Sequence, residues 1–248
     1  MRITGRIVAM TVDPGAAPSP AGLALLQQGE AEVQGRMPWS SNGTFLTKLT
    51  DGDDAMLAVY KPGQGERPLW DFPRGLYRRE AAAWELSELL GWGIVPETIV
   101  RDGPYGEGSM QRFVNADFEE HYFTIYEDEQ HHPVLRQFAV FDLLANNTDR
   151  KSGHVLLGDD GRLWGIDNGL CFHPDPKIRT VIWEFGGEHI PDELLDAVRD
   201  TLPKIDVLEA LLDDEERDAI RSRAERLLKV KTFPLADPSG RCYPWPMV

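Results

Sequence analysis

The sequence predicts a mixed α+β chain built as two lobes, β-rich at the N-terminal end and mostly helical at the C-terminal end. Three observations predict it. Short β-type runs, TFLTKL at 44–49 and AMLAVY at 55–60, flank a polar Asp51-Gly52-Asp53-Asp54 turn and read as a hairpin. One Ala- and Leu-rich segment, 76–90, has helical composition, with Gly91 and Gly93 just past its end. From about residue 191 the chain reads as successive helical segments, PDELLDAVRDTL and EERDAIRSRAERLL.

The remaining elements follow in order. Residues 1–22, rich in Ala, Pro and Gly, are expected to be a mobile leader and not a signal peptide. Residues 23–34 predict a short helix around Leu23, Leu25 and Leu26. Two further strands are expected at 94–100 and 109–114, then an acidic and aromatic connector at 115–132. A helix follows Pro133 through Leu135, Phe138, Phe141, Asp142 and Ala145, with His131-His132 as its lead-in. After the polar loop NNTDRKSGH, the runs HVLL and RLWGID flank a Gly158–Gly161 turn and predict a second hairpin. The boundaries expected are 1–22 for the leader, 23–114 for the N-lobe and 115–248 for the C-lobe.

Composition narrows the function. The 248 residues suit one two-lobed domain, and 42% hydrophobic content supports a packed core. The formal charge of −15, with no Lys/Arg cluster, disfavours nucleic acid and anionic lipid surfaces as partners. No apolar run is long enough to span a membrane, so no integral membrane association is expected. The two cysteines, Cys171 and Cys242, lack the spacing of a zinc site, and a reducing cytoplasm is the expected compartment.

A few residues are suited to chemistry. Lys61 ends an apolar strand and is followed by Pro62, which should stop it. Glu80 lies in the 76–90 helix among Leu76, Ala83 and Ser87 at i±3/4 spacing, where a carboxylate can brace a buried ammonium. The Ser40–Phe45 turn offers the backbone of Ser41, Asn42 and Gly43 to phosphates, without a GxGxxG or Walker pattern. In the loop Asn146–Arg150, Asp149 can orient or accept a proton, and Arg150 can fix the loop by pairing with a carboxylate. Asp167 ends the apolar strand RLWGI before Asn168-Gly169; at the tip of a buried strand it needs a partner and can chelate a metal ion. Each feature has a plain reading as a strand end, helix charge or turn cap. Their order is restrictive: strand lysine, helix glutamate, connector, Asp-Arg loop, hairpin, strand-Asp-x-Gly. It matches what phosphoryl transfer requires, a cation on phosphates, a metal ligand and a carboxylate for the acceptor hydroxyl.

The stretches VYKP…LYRREAAAWELSELLGWGIVP, NNTDRKSGHVLL and GIDNGLCF resemble the phosphoinositide 3/4-kinase-like superfamily over roughly residues 35–190. Within it they are similar to type II phosphatidylinositol 4-kinases and HipA-like kinases, as an uncharacterised bacterial branch. The resemblance implies a two-lobed protein-kinase-like (atypical kinase) fold that uses ATP with Mg²⁺ or Mn²⁺. It implies Lys61 on the ATP phosphates, Glu80 bracing it, and Gln111, Arg112, Phe113 and Val114 as the interlobe connector that meets adenine. It implies Asp149 as the catalytic carboxylate and Asp167 as metal ligand. Two departures stand out. His154 replaces the Asn expected five residues after Asp149, either as a ligand suited to softer ions such as Mn²⁺ or as a gap in the metal site. Asn168 replaces the Phe often found after the metal Asp.

The expected function is transfer of the ATP γ-phosphate to a hydroxyl of an unidentified acceptor, a protein Ser/Thr, a small polyol or an inositol-type compound. A nucleotide-binding pseudokinase or scaffold, and a nucleotidyl transferase, are the alternatives. The acidic stretch 117–129 is a solvated insert or a selector of basic acceptors, and Trp183, Glu184 and Phe185 pack in the core or shape the acceptor groove.

Overall fold

The computed structural model describes residues 20–37, 42–238 and 241–247. It is a mixed α+β structure. The chain opens with α1 (Pro20–Gln28), followed by strands β1 (Glu30–Arg36), β2 (Phe45–Asp51) and β3 (Asp54–Pro62). After α2 (Leu76–Leu89) come β4 (Thr98–Gly103) and β5 (Gly106–Arg112). These five strands form one antiparallel sheet in the order β1-β2-β3-β5-β4. The second half holds α3 (Tyr122–Tyr126), α4 (His132–Ala145), the two-stranded hairpin β6 (Val155–Leu157) and β7 (Leu163–Gly165), then α5 (Asp192–Thr201) and α6 (Asp214–Val230).

Several sequence expectations need correction. The helix expected over 23–34 starts earlier and stops at Gln28; residues 30–36 instead pair with β2 as an edge strand. Ala31 and Val33 alternate with outward-facing polar residues there, a period of two that the preceding leucines obscured. The strands expected at 94–100 and 109–114 lie at 98–103 and 106–112 and form a hairpin around Pro104-Tyr105. Strand β3 stops at Pro62 as expected, but Pro62 is its last residue, paired with Gly108, so Lys61 lies one residue inside the strand end. Residues 1–19, where most of the leader was expected, lie outside the described residues.

Two cores divide the molecule. Leu25, Leu26, Leu49, Met56, Ala58, Tyr60 and Met110 form a small core between α1 and the sheet. A much larger core joins α4, α5 and α6 and also takes in Ala82, Ala83 and Leu86 of α2. Helix α2 therefore belongs energetically to the helical half, although it lies against β4 and β5. Its buried Arg79 is paired with Glu216 of α6, which fixes the helix to that half by charge as well as by packing. The N-terminal end of α2 is capped from a distance: the Glu66 carboxylate accepts the amides of Gly75 and Tyr77, each at 2.9 Å. Gly75 adopts φ 95°, a left-handed conformation that favours glycine.

Among the described residues no helix is long and apolar enough to cross a membrane.

Candidate active site

Strand periodicity places the lysine. In β3 the buried residues Met56, Ala58, Tyr60 and Pro62 alternate with Leu57, Val59 and Lys61, so Lys61 shares the opposite face with two half-buried aliphatic side chains. Its Nζ donates to Glu80 Oε1 of α2 and, at 2.8 Å, to Asp167 Oδ1 just beyond β7. Glu80 is bound from its other oxygen too, where Oε2 accepts the Asn168 amide at 2.9 Å. One buried carboxylate thus holds both the lysine and the backbone that carries Asp167. Gly169 follows because the chain runs close under α2: a Cβ there would sit 3.2 Å from Glu80 Oε1.

Asp167 adopts φ 57°, unusual for a non-glycine residue and a conformation held only where surrounding contacts enforce it. The enforcing contacts are on the next residue. Asn168 is buried and accepts from Arg150 Nη2 at 2.8 Å, while its amide nitrogen donates to the Gly165 carbonyl at 3.2 Å. About half of the Asp167 side chain stays exposed. The Lys61 ammonium beside it holds its carboxyl well below the usual range, against the opposing effect of burial. Burial works against the charge on Lys61 in turn, but Asp167 and Glu80 outweigh it and hold the ammonium above its ordinary value.

The Asp149 loop is built on a second network. Helix α4 ends at Asn146 in a left-handed conformation (φ 50°), and the Asn147 side chain accepts the Asp149 amide at 3.0 Å. Buried Asp142 of α4 accepts from Arg150 Nη2 at 2.9 Å, from Asn147 at 3.1 Å and from the Thr180 hydroxyl at 3.0 Å. Arg150 also donates to the Ile166 carbonyl at 3.1 Å. Arg150 pairs with a carboxylate, as expected of it; grouped with Asp149 as a catalytic candidate, it is fully buried and its donors are spent inside the protein, so none is left for a substrate. Its role is to position, tying the Asp149 loop to the Asp167 turn. Asp149 itself is partly exposed, with Lys151 Nζ 3.1 Å from Oδ2. Burial raises its pKa to about 6, against the lowering influence of Lys151.

His154 lies beside Asp167, with Nε2 3.4 Å from Oδ2. Its Nδ1 accepts the Lys151 amide at 3.4 Å, so the hydrogen-bond network assigns the ring proton to Nε2, facing Asp167. Burial pushes its pKa down to about 4, leaving it neutral near pH 7. Ligation through Nε2 would need the proton on Nδ1, where it would face an N–H. The geometry favours His154 as a donor that steadies Asp167. Among the described residues no group of three or more His, Cys, Asp or Glu side chains converges as a ready metal cage. The donor set still fits a divalent ion held partly by nucleotide phosphates and water, with the Asp167 carboxylate as the protein's oxygen ligand.

The remaining expected site residues fall into three groups. Ser41 lies outside the described residues. Asn42 and Gly43 are bound to the 63–67 loop, through Arg67 N to Asn42 Oδ1 at 3.1 Å and Gly43 N to Gly65 O at 3.0 Å, so the Gly43 amide is already used. Gln111, Arg112 and Phe113 are absorbed by the sheet: Gln111 donates to Thr98 Oγ1 at 2.8 Å, Arg112 pairs with Glu97 and stacks on Trp164, and the Phe113 amide bonds to Leu57 O at 3.0 Å. Of the four, Val114 alone keeps an amide with no hydrogen-bond partner among the described residues. Sequence reasoning missed Leu57 and Val59, which a period-two reading of β3 would have put beside Lys61. It also missed Lys151, only two residues beyond Asp149, and the carboxylate partner of Arg150, Asp142, which had been noted solely as a helix residue.

No family model matches the chain. Phosphatidylinositol 4-kinase gamma 3 of Arabidopsis thaliana is 27% identical over 110 residues, which cover 40% of this chain and 18% of that protein. Two solved structures are similar in outline. The Helicobacter pylori proinflammatory kinase CtkA has a TM-score of 0.49 and 12% identity, covering 83% of this chain and 94% of that one. Hydra Fam20, solved with sugar, has a TM-score of 0.48 and 13% identity, covering 86% and 89%. Likeness at these scores carries no argument about activity. Protein Rv2133c of Mycobacterium tuberculosis is 40% identical over 263 aligned residues, covering 90% of this chain and 94% of that protein. The chain belongs to the family of Rv2133c.

Proposed function

We propose that this chain is an ATP-dependent phosphotransferase of the atypical kinase type, acting on a hydroxyl acceptor. The observation that carries the reading is Lys61 of β3 bonded at once to Glu80 of α2 and to Asp167 beyond β7. Three elements far apart in sequence converge on one ammonium, with one of its carboxylates left half exposed. A structural ion pair needs two partners; a second, left half open, suits a ligand-binding site.

In this reading Lys61 binds nucleotide phosphates, and Glu80 keeps it in place when the phosphates draw it from Asp167. Asp167 holds a divalent cation, Mg²⁺ or Mn²⁺, which when bound neutralises charge on the transferring phosphoryl group. Asp149 orients the acceptor hydroxyl and takes its proton; a carboxylate with a pKa of about 6 is a better proton acceptor near pH 7 than an ordinary one. Leu57 and Val59 supply an apolar wall on the Lys61 face, and the Val114 amide, without a partner among the described residues, offers a contact for adenine. The lobe division proposed is 23–114 and 115–248. Support for it comes from the five-stranded sheet ending at Arg112, just before Val114, although α2 of the 23–114 segment packs in the larger core.

The test is ATP labelled at the α or the γ position, offered with Mg²⁺ or Mn²⁺. Metal-dependent movement of the γ label supports the reading. Movement of the α label would assign nucleotidyl transfer, and nucleotide-induced thermal stabilisation without movement of either label would assign a pseudokinase.

A further inference from the structure

Beside Asp149 stands a cation, Arg179, whose side chain makes no hydrogen bond or ion pair among the described residues. Residues 178–181 run parallel to the Asp149 loop. The Arg179 amide donates to Asn147 O at 2.8 Å, the Arg150 amide to Arg179 O at 3.0 Å, and the Val181 amide to Arg150 O at 3.1 Å. The bridge pairs Arg150 with Thr180, which sets Arg179 in register with Asp149, so their side chains project to the same face. The Arg179 guanidinium is partly exposed and makes no side-chain hydrogen bond or salt bridge among the described residues. Its charge is felt at Asp149, but that carboxylate is bonded to Lys151.

This is unusual in a chain with 41 acidic and 26 basic residues, where carboxylates are abundant. The segment is also held rigidly from behind. The Thr180 amide and Trp183 Nε1 both donate to Cys242 O, at 3.1 and 3.2 Å, and the Ser152 amide donates to Met247 O at 2.8 Å. The C-terminal residues thus strap the Arg179 segment and the Asp149 loop together. A fixed backbone with a free guanidinium is a pre-organised anion receptor, since the planar fork of arginine matches phosphate and carboxylate oxygens in pairs.

We propose that Arg179 is an acceptor-binding residue and that the acceptor is a hydroxyl compound bearing its own phosphate or carboxylate group near that hydroxyl. This rests on the phosphotransferase reading and gives it a substrate class. Arg179 holds the anionic group while the hydroxyl oxygen attacks the γ-phosphorus. The bond from that phosphorus to the β–γ bridging oxygen breaks, ADP leaves, and the hydroxyl proton passes to Asp149.

The experiment is isothermal titration of the full chain, with and without saturating ADP and Mg²⁺, using glycerol, D-glycerate and glycerol 3-phosphate. Sedimentation with phosphatidylcholine vesicles, with and without phosphatidylglycerol, runs alongside. Saturable binding of either soluble anion at least tenfold tighter than glycerol is expected. It should be lost at least tenfold in Arg179→Gln and partly kept in Arg179→Lys, with ADP affinity within twofold in both. Arg179-dependent sedimentation with phosphatidylglycerol alone supports the same chemistry and assigns the anion to a lipid headgroup. Binding unchanged in Arg179→Gln, or no anion preference in any arm, overturns the proposal. So does a parallel loss of ADP affinity, which would assign Arg179 to the nucleotide. Failure of the wild-type chain to bind ADP counts against the kinase reading, whereas the nucleotide-free titrations still decide the anion site.

Discussion

The Lys61 side and the Asp149 side of the candidate site are wired differently. On the Lys61 side every charge is matched: the ammonium has two carboxylates, Glu80 has two donors, and Asp167 has Lys61 and His154. On the Asp149 side the backbone is tied by hydrogen bonds but the charges are loosely matched, with one carboxylate set against Lys151 and an Arg179 side chain that is unpaired among the described residues. The difference teaches which side is assembled in advance. A network that links a strand, a helix and a strand end fixes the site at which the proposed function puts the phosphates. The acceptor side keeps its charges available, and a ligand would complete them.

The comparison can be broken at its most strongly coupled point first. Lys61→Met leaves buried Glu80 without its cation, and ATP turnover should fall about a hundredfold or more, measured as initial rates at saturating metal. Asp142→Ala attacks the framework behind the Asp149 side. It strips buried Arg150 of its carboxylate and should cost roughly 3–5 kcal/mol of stability, read from denaturant midpoints. A smaller effect comes from pH. Asp149 accepts a proton only when ionised and its pKa is raised to about 6, so kcat/KM should be flat above that value and fall about tenfold per pH unit below it. Since Lys151 lowers that pKa, Lys151→Gln should move the limb to higher pH. The mildest change is His154→Asn. With His154 acting as a donor to Asp167, the Mn²⁺-to-Mg²⁺ rate ratio should stay within about twofold; a shift of tenfold or more toward Mg²⁺ would make it a ligand.

Much of this was legible in the sequence, and the limits were physical. The β2–β3 hairpin, α2, α4 and the β6–β7 hairpin were readable because periodicity and turn residues agreed. Strand β1 was hidden because its inward face, Ala31 and Val33, is short and only half-buried, and it adjoins leucines that belong to α1. Lys61, Glu80, Asp149 and Asp167 were picked out by order, and the structure brings Lys61, Glu80 and Asp167 into direct contact. Arg150 was identified and given a carboxylate partner, but the partner was not named: its pairing with Asp142 in the interior is a tertiary fact that no local spacing shows. Arg179 carries no motif at all. Only the parallel pairing of 178–181 with the Asp149 loop puts it beside that carboxylate.

The central claim is that Asp167, fixed in a left-handed conformation beside Lys61, is the carboxylate on which metal-dependent phosphoryl transfer depends. The most direct measurement is metal-dependent γ-phosphate turnover by the wild-type chain and by Asp167→Asn, with thermal unfolding of both recorded to confirm an intact fold. The account predicts loss of turnover by about a thousandfold in a folded variant. Equal turnover by the two proteins would contradict it.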